Sequence, residues 1–295
     1  MPGPAQVSGH RFTVDSAGPA AGQARDRTRR YRPYVSSTAA GPVLRTVDGQ
    51  RLHTRLVTGP ASSGLLVVLA PGFSGSWWKP YVRRIAAALA AGADVLALDL
   101  RGHGHSTGHS TLGDLEVLDV AAGVRWARAE GYPRVASVGF SMGATAALRQ
   151  AVLLGGVNAV VSVSAPADWS PPTPRWIRWT TQTRPGRLFS RLLLGTRVSG
   201  YRYPGRRWPT ATRDTVGHLP PTPLLIIHGA RDRYFPPEHA RSLAAAYAAG
   251  ADGGRPARLW LEPAMGHAEA GLPVPVLDRL AAALPELAGG GRTPG

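Results

Sequence analysis

Residues 134–154 read RVASVGFSMGATAALRQAVLL, and this stretch decides the fold. Arg134 to Val138 is a short, largely apolar run, as expected of a buried strand. Met142 to Leu154 reads as a helix. Between them stands Gly139-Phe140-Ser141-Met142-Gly143. A serine there sits on a strained strand-to-helix turn, so its side chain projects at the strand's carboxyl end. Gly139 and Gly143 lie two positions either side, where a side chain would collide with neighbouring backbone. The Met142 N–H then points at a developing oxyanion near a helix N-terminus. In a chain with 36 glycines a chance G-x-S-x-G is common. The strand before it and the helix after it lift this one above chance.

The alternation of strand and helix continues on both sides. Val43 to Val47 and Arg51 to Val57 flank Asp48-Gly49, a short hairpin signal. Leu65 to Ala70 (LLVVLA) is uninterrupted and apolar, the pattern of a strand covered on both faces. Trp78 to Ala91 reads as a helix, with Tyr81, Ile85 and Leu89 at spacing four. Asp94 to Leu98 is a strand, and Leu115 to Ala129 a helix ended by Gly131 and Pro133. Strands are expected at Ala159–Val163, Pro223–Ile227 and Arg258–Leu261, and helices at Pro237–Ala249 and Val274–Leu287. Such alternation implies an α/β fold: a mostly parallel sheet with helices on both faces and right-handed crossovers. Residues 170–218 break it. They run from Ser170-Pro171-Pro172 to just before Leu219-Pro220-Pro221, too long for an ordinary connection.

The 295 residues include no cysteine, which excludes disulfides, a thiolate nucleophile and Cys-ligated zinc. A hydrophobic fraction of 43% suffices for a full core. No apolar run is long enough to span a membrane. The N-terminus lacks the apolar stretch of a secretory signal, so a cytoplasmic location is expected. The net charge of +16 suggests nucleic acid until it is mapped. Residues 1–60 carry +6 and residues 170–218 carry +9, with ten arginines against Asp214. The rest is nearly neutral, and no base-reading motif accompanies the arginines, so no nucleic-acid partner is expected. Residues 1–40 and 291–295 read as tails, the first basic and disordered.

Four further motifs follow strands. Pro71-Gly72-Phe73-Ser74-Gly75 comes after LLVVLA, and its Phe73 N–H is a second candidate oxyanion donor. Asp99-Leu100-Arg101-Gly102-His103-Gly104-His105-Ser106 reads as a glycine-rich turn locked by an Asp–Arg–backbone network. His103, His105 and His109 raise the question of a metal, but no Asp/His cluster completes a site; neither metal nor cofactor is expected. His228-Gly229-Ala230-Arg231-Asp232 places Asp232 on a loop after a strand. Pro263-Ala264-Met265-Gly266-His267-Ala268-Glu269 does the same for His267. Loops at strand carboxyl ends line one crevice, so Ser141, Asp232 and His267 can converge as nucleophile, orienting acid and base. Asp168 competes with Asp232 for the acid, and His228 and His239 compete with His267 for the base.

Over about residues 41–290 the chain resembles an α/β-hydrolase. The resemblance rests on the PGFSG loop, the D-x-R-G-H-G-x-S turn, the GFSMG elbow, the HG-x-x-D loop and the GH loop. It is nearest to the lysophospholipase/monoacylglycerol-lipase-like serine hydrolases, with Pro71 where many members have His. The resemblance implies an acyl-transfer site of Ser141, His267 and Asp232, with oxyanion donors at Phe73 and Met142. It also implies a core of residues 41–169 and 219–290, and a cap at 170–218. The expected activity is hydrolysis of a small-molecule carboxylic ester through an acyl-enzyme. Acyl transfer or thioester cleavage is an alternative on the same fold, and a non-catalytic binding protein is one of another class. Leu188, Phe189, Leu192 and Leu193 form an apolar face flanked by Arg187, Arg191 and Arg197, with Trp176 and Trp179 nearby. The segment is either a solvated outer face with a buried apolar underside, or a basic, Trp-bearing cap that meets acyl substrate, anionic headgroups or a membrane surface.

Overall fold

A computed structural model of the chain describes residues 41–59, 64–168, 175–199, 212–250 and 256–289, and the short pieces 6–7 and 10–11. Strands β1 (Gln6–Val7) and β2 (His10–Arg11) pair with each other. The remainder of the expected tails lies outside the described residues, as do Trp169 and positions 170–174 and 200–211 of the insert.

The hairpin at Asp48-Gly49 forms, but its strands are short: β3 (Leu44–Arg45) pairs with β4 (Arg51–Leu52). The second run breaks at His53, whose carbonyl accepts the Asp99 N–H at 2.9 Å. Beyond it β5 (Thr54–Val57) joins the main sheet. The other sheet strands are β6 (Leu65–Ala70), β7 (Asp94–Leu98), β8 (Arg134–Phe140), β9 (Ala159–Val163), β10 (Leu224–Gly229) and β11 (Arg258–Glu262). Their order is β11-β10-β9-β8-β6-β7-β5, parallel throughout except for the β5–β7 pair. Both β8 and β10 run two residues past their expected ends, because pairing continues through Phe140 with Val163 and Gly229 with Glu262.

Alternate residues of the central strands face opposite layers. Leu65, Val67 and Leu69 pack under α1 (Pro80–Leu89) and α9 (Val274–Gly289). Leu66, Val68 and Ala70 pack under α2 (Glu116–Ala129) and α3 (Met142–Leu154). The same layer continues through α7 (Glu238–Ala249) over β9 and β10. Each fully buried Leu or Val contributes about 1.5–3 kcal/mol, which explains why strands with no polar face are favoured here. Helix α1 starts at Pro80 rather than Trp78, since proline suits the first turn, where no N–H is needed.

The insert contains α4 (Arg175–Gln182) and α5 (Arg184–Leu193); α6 (Thr212–Val216) and α8 (Ala268–Gly271) complete the helices among the described residues. Thr183 caps α5 by accepting the Gly186 N–H at 3.0 Å. The pair packs through small residues: a Cβ at Gly186 would lie 1.9 Å from the Trp179 carbonyl oxygen. Small residues inside leave the large ones outside. Leu188, Phe189, Leu192 and Leu193 are exposed, so the face is not a buried underside. Arg197 does not flank it either. Its backbone donates to Gly102 O and accepts from Ser110 N, both at 2.7 Å, and its guanidinium bonds the Ser106 and Gly108 carbonyls.

The turn at Asp99–Ser106 is locked by two networks rather than one. Asp99 accepts from Ser76 Oγ, Trp77 N and His105 N. Arg101 pairs instead with Asp119 at 2.8 Å and Asp48 at 2.7 Å. Among the described residues no helix is long and apolar enough to cross a membrane.

Candidate active site

Ser141 sits between β8 and α3 with φ of 49°, a left-handed conformation costly for a residue with a side chain. Its N–H donates to Val163 O at 2.8 Å, and its carbonyl accepts from Ala144 and Thr145 of α3. The two glycines are needed for close approach. A Cβ at Gly139 would lie 2.4 Å from Gly143 O, and one at Gly143 would lie 2.2 Å from Ala70 O. The Met142 side chain is buried in the core.

Asp232 follows β10, and His267 follows β11. Gly229 lets these two ends meet: a Cβ there would lie 2.3 Å from Met265 O and 2.4 Å from Gly266 O. His267 Nδ1 is 2.7 Å from Asp232 Oδ2, and His267 Nε2 is 3.0 Å from Ser141 Oγ. The Asp232 carboxylate also accepts from Tyr234 N at 2.9 Å and Phe235 N at 3.0 Å. Burial pushes its pKa up, but the His267 bond and charge and the two backbone donors outweigh burial and hold it below the usual carboxylate range. An ionised Asp232 is acceptor-only, so Nδ1 donates and Nε2 is left to accept from the Ser141 hydroxyl. The Asp232 side chain is fully buried, whereas that of His267 is 20% exposed.

Asp168 and His239 are engaged elsewhere, while His228 lies beside Asp232, its Nε2 3.6 Å from Oδ2. Asp168 pairs with Arg213 at 3.0 Å. His239 Nδ1 accepts the Ala167 N–H at 3.1 Å. His228 donates Nε2–H to Phe235 O at 2.9 Å, and burial lowers its pKa and keeps it neutral. His103 is buried and donates Nδ1–H to Arg101 O. Among the described residues no three His, Asp or Glu side chains are grouped to hold a metal.

Gly72, Phe73, Ser141, Met142 and His267 line one cavity of about 270 Å³. Sequence reasoning missed most of its remaining wall: Tyr81, Leu112, Tyr234, Phe235 and Glu269, with Trp176 reaching in from α4. Tyr234 packs against His267 with ring centroids 4.8 Å apart and meets Trp176 edge-on at 6.2 Å. Glu269 stood inside the GH motif with no pattern to mark it as part of the wall. In the PGFSG loop, Gly75 N–H donates to Gly72 O at 2.9 Å and Ser74 takes a φ of 64°.

Residues 66–187 match a family model described as the alpha/beta hydrolase fold. No curated protein sequence matches the chain. Among solved structures it resembles the esterase Pf2001 of Pyrococcus furiosus, at 22% identity and a TM-score of 0.63, covering 86% of this chain and 93% of that one. XC6422 of Xanthomonas campestris, described as a serine hydrolase without a lid, gives 19%, 0.56, 87% and 95% for the same quantities. Est1E of Butyrivibrio proteoclasticus, solved with ferulic acid bound, gives 20%, 0.56, 81% and 94%. With its sheet order, its serine turn at Ser141 and these likenesses over most of its length, the chain has the α/β-hydrolase fold.

Proposed function

We propose that the protein is a serine hydrolase that cleaves a carboxylic ester of a small molecule. The observation that carries this reading is the continuous chain of hydrogen bonds from Ser141 through His267 to Asp232. Ser141 Oγ attacks the ester carbonyl while His267 Nε2 takes the hydroxyl proton. Asp232 fixes the imidazole tautomer and stabilises the imidazolium. The Phe73 and Met142 N–H groups receive the negative charge on the carbonyl oxygen. His267 returns the proton to the leaving alcohol, whose bond to the acyl carbon breaks. Water then attacks the acyl-enzyme with His267 again as base, releasing the acid and restoring Ser141.

The cavity is small for a ligand site and its wall is largely aromatic and aliphatic. It suits a short acyl or aryl group better than a long fatty chain. The expected result is labelling of Ser141 by a fluorophosphonate, and p-nitrophenyl acetate or butyrate turned over faster than the palmitate. A parallel panel of acyl thioesters separates the alternative chemistry. An unlabelled Ser141 with no turnover of any ester or thioester would leave a binding protein on a hydrolase fold.

For a partner, we propose that the α4–α5 pair caps the cavity, Trp176 forming part of its roof, and that its outer face meets anionic lipid. Leu192 and Leu193 are 70% and 69% exposed, and Arg184, Arg187 and Arg191 stand on the same short helix. An apolar strip rimmed by arginines fits the boundary of an anionic membrane, where each arginine adds about 1 kcal/mol. The whole protein should co-sediment with phosphatidylglycerol-containing vesicles, less so in high salt, and poorly with pure phosphatidylcholine. The Leu192→Asp/Leu193→Asp variant should lose this binding. Equal sedimentation of variant and parent, or none of either, removes the lipid assignment.

A further inference from the structure

The cavity wall contains one carboxyl group that the proposed chemistry does not use. Glu269 is only 7% exposed, stands two residues after His267 and lines the same cavity. Its Oε1 accepts the Gly72 N–H at 2.6 Å, joining segments 197 residues apart. Its Oε2 lies 3.3 Å from the point where a Cβ on Gly72 would stand, and Phe140 O and Ser141 Cβ lie 3.3 Å from that same point. The carboxyl therefore adjoins both the PGFSG loop and the serine elbow.

Gly72 is held from two sides. Its N–H is taken by Glu269, and its carbonyl by the Gly75 N–H. The carbonyl of Gly72 and the N–H of Phe73 belong to one planar peptide unit. Fixing the first fixes the direction of the second. On its own side, Glu269 is carried by a turn that cannot shift freely. Ala268, between His267 and Glu269, has a φ of 49°, and its N–H donates to Ser164 Oγ at 3.1 Å. One short, strained turn thus carries the candidate base and, two residues on, the group that grips the oxyanion loop.

We propose that Glu269 is a positioning residue, tying the oxyanion loop to the histidine turn so that the Phe73 N–H stays in register with Ser141. This rests on the hydrolase reading above. The arrangement has a cost. Burial raises the pKa of Glu269, and the Gly72 N–H, its own backbone N–H and the nearby His267 offset that only in part. A buried acid whose role was only to fill space would be replaced at no loss by an apolar side chain of the same length.

The test compares Glu269→Gln with Glu269→Met in the full-length protein. Glutamine keeps a carbonyl oxygen for the Gly72 N–H; methionine keeps the volume and loses a strong acceptor. Glu269→Met should lower kcat on a short p-nitrophenyl ester by about 10²-fold, as loss of one oxyanion donor does, with KM changed little. Glu269→Gln should recover most of kcat. Should the methionine variant fail to fold, Glu269→Asp, which withdraws the acceptor by one methylene, takes its place. Undiminished kcat in the methionine variant, or a glutamine variant no better than it, overturns the assignment while the hydrolase reading stands. A wild-type protein inert to fluorophosphonate and to every ester overturns both.

Discussion

Replacing Ser141 by alanine is expected to lower kcat on a short ester by about 10⁶-fold, and replacing His267 to do nearly the same. The reason is geometric. Ser141 Oγ lies 3.0 Å from His267 Nε2, and His267 Nδ1 lies 2.7 Å from Asp232 Oδ2, the proposed nucleophile, base and orienting acid. Each group is of little use without the next, so the losses do not add. The Ser141→Ala/His267→Ala double variant should be no slower than either single one. What remains should be the modest acceleration from binding and oxyanion donors alone, about 10³–10⁴ over water. The variants should fold normally, since Asp232 keeps its bonds from Tyr234 and Phe235. Steady-state kinetics with circular dichroism as a folding control decides the matter. Turnover by Ser141→Ala within tenfold of the parent would end the serine-hydrolase reading.

A large loss of stability is expected for alanine at Gly143, where α3 meets the end of β6. An alanine Cβ there would lie 2.2 Å from Ala70 O and 2.4 Å from Pro71 O. Both are backbone atoms at the end of β6, so no side chain can rotate away. Overpacking a core ordinarily costs about 1–3 kcal/mol, and a backbone collision belongs at or above the top of that range. Against a total of about 5–15 kcal/mol, Gly143→Ala should unfold at a much lower urea concentration. Gly266, beside His267, is the fitting contrast. A Cβ there would meet nothing nearer than 3.7 Å, so Gly266→Ala should shift the midpoint little. Equal urea midpoints for the two variants would show that the elbow is not held against β6 in this way.

The sheet was legible because its strands are buried on both faces. LLVVLA at 65–70 and the shorter runs at 94–98 and 159–163, alternating with helical patterns, point to a covered, parallel sheet. Ser141, Asp232 and His267 were legible as candidates because each follows such a strand, and the structure brings them within hydrogen-bonding distance. The Arg101 pairing was not legible, since Asp48 and Asp119 are distant in sequence and nothing local selects them over Asp99. Glu269 was hidden for the same reason, its partner being 197 residues away. The apolar strip on α5 could be read from spacing, but spacing does not say which way a strip faces. That depended on small residues, Gly186 and Ser190, forming the packed side.

Ser141 rises from β8, which is buried and has neighbours on both sides. His267 follows β11, which forms the edge of the sheet and is only half-buried along all five residues. Edges open with less free energy than centres. An opening of β11 moves the imidazole away from a serine that has not moved, and the rest of the sheet stays intact. Warming or mild denaturant should therefore switch the protein off while most of it is still folded, and cooling should switch it on again. On the hydrolase reading, loss of ester turnover should then come before loss of the circular-dichroism signal on heating, the edge strand rather than the sheet setting the upper limit of activity.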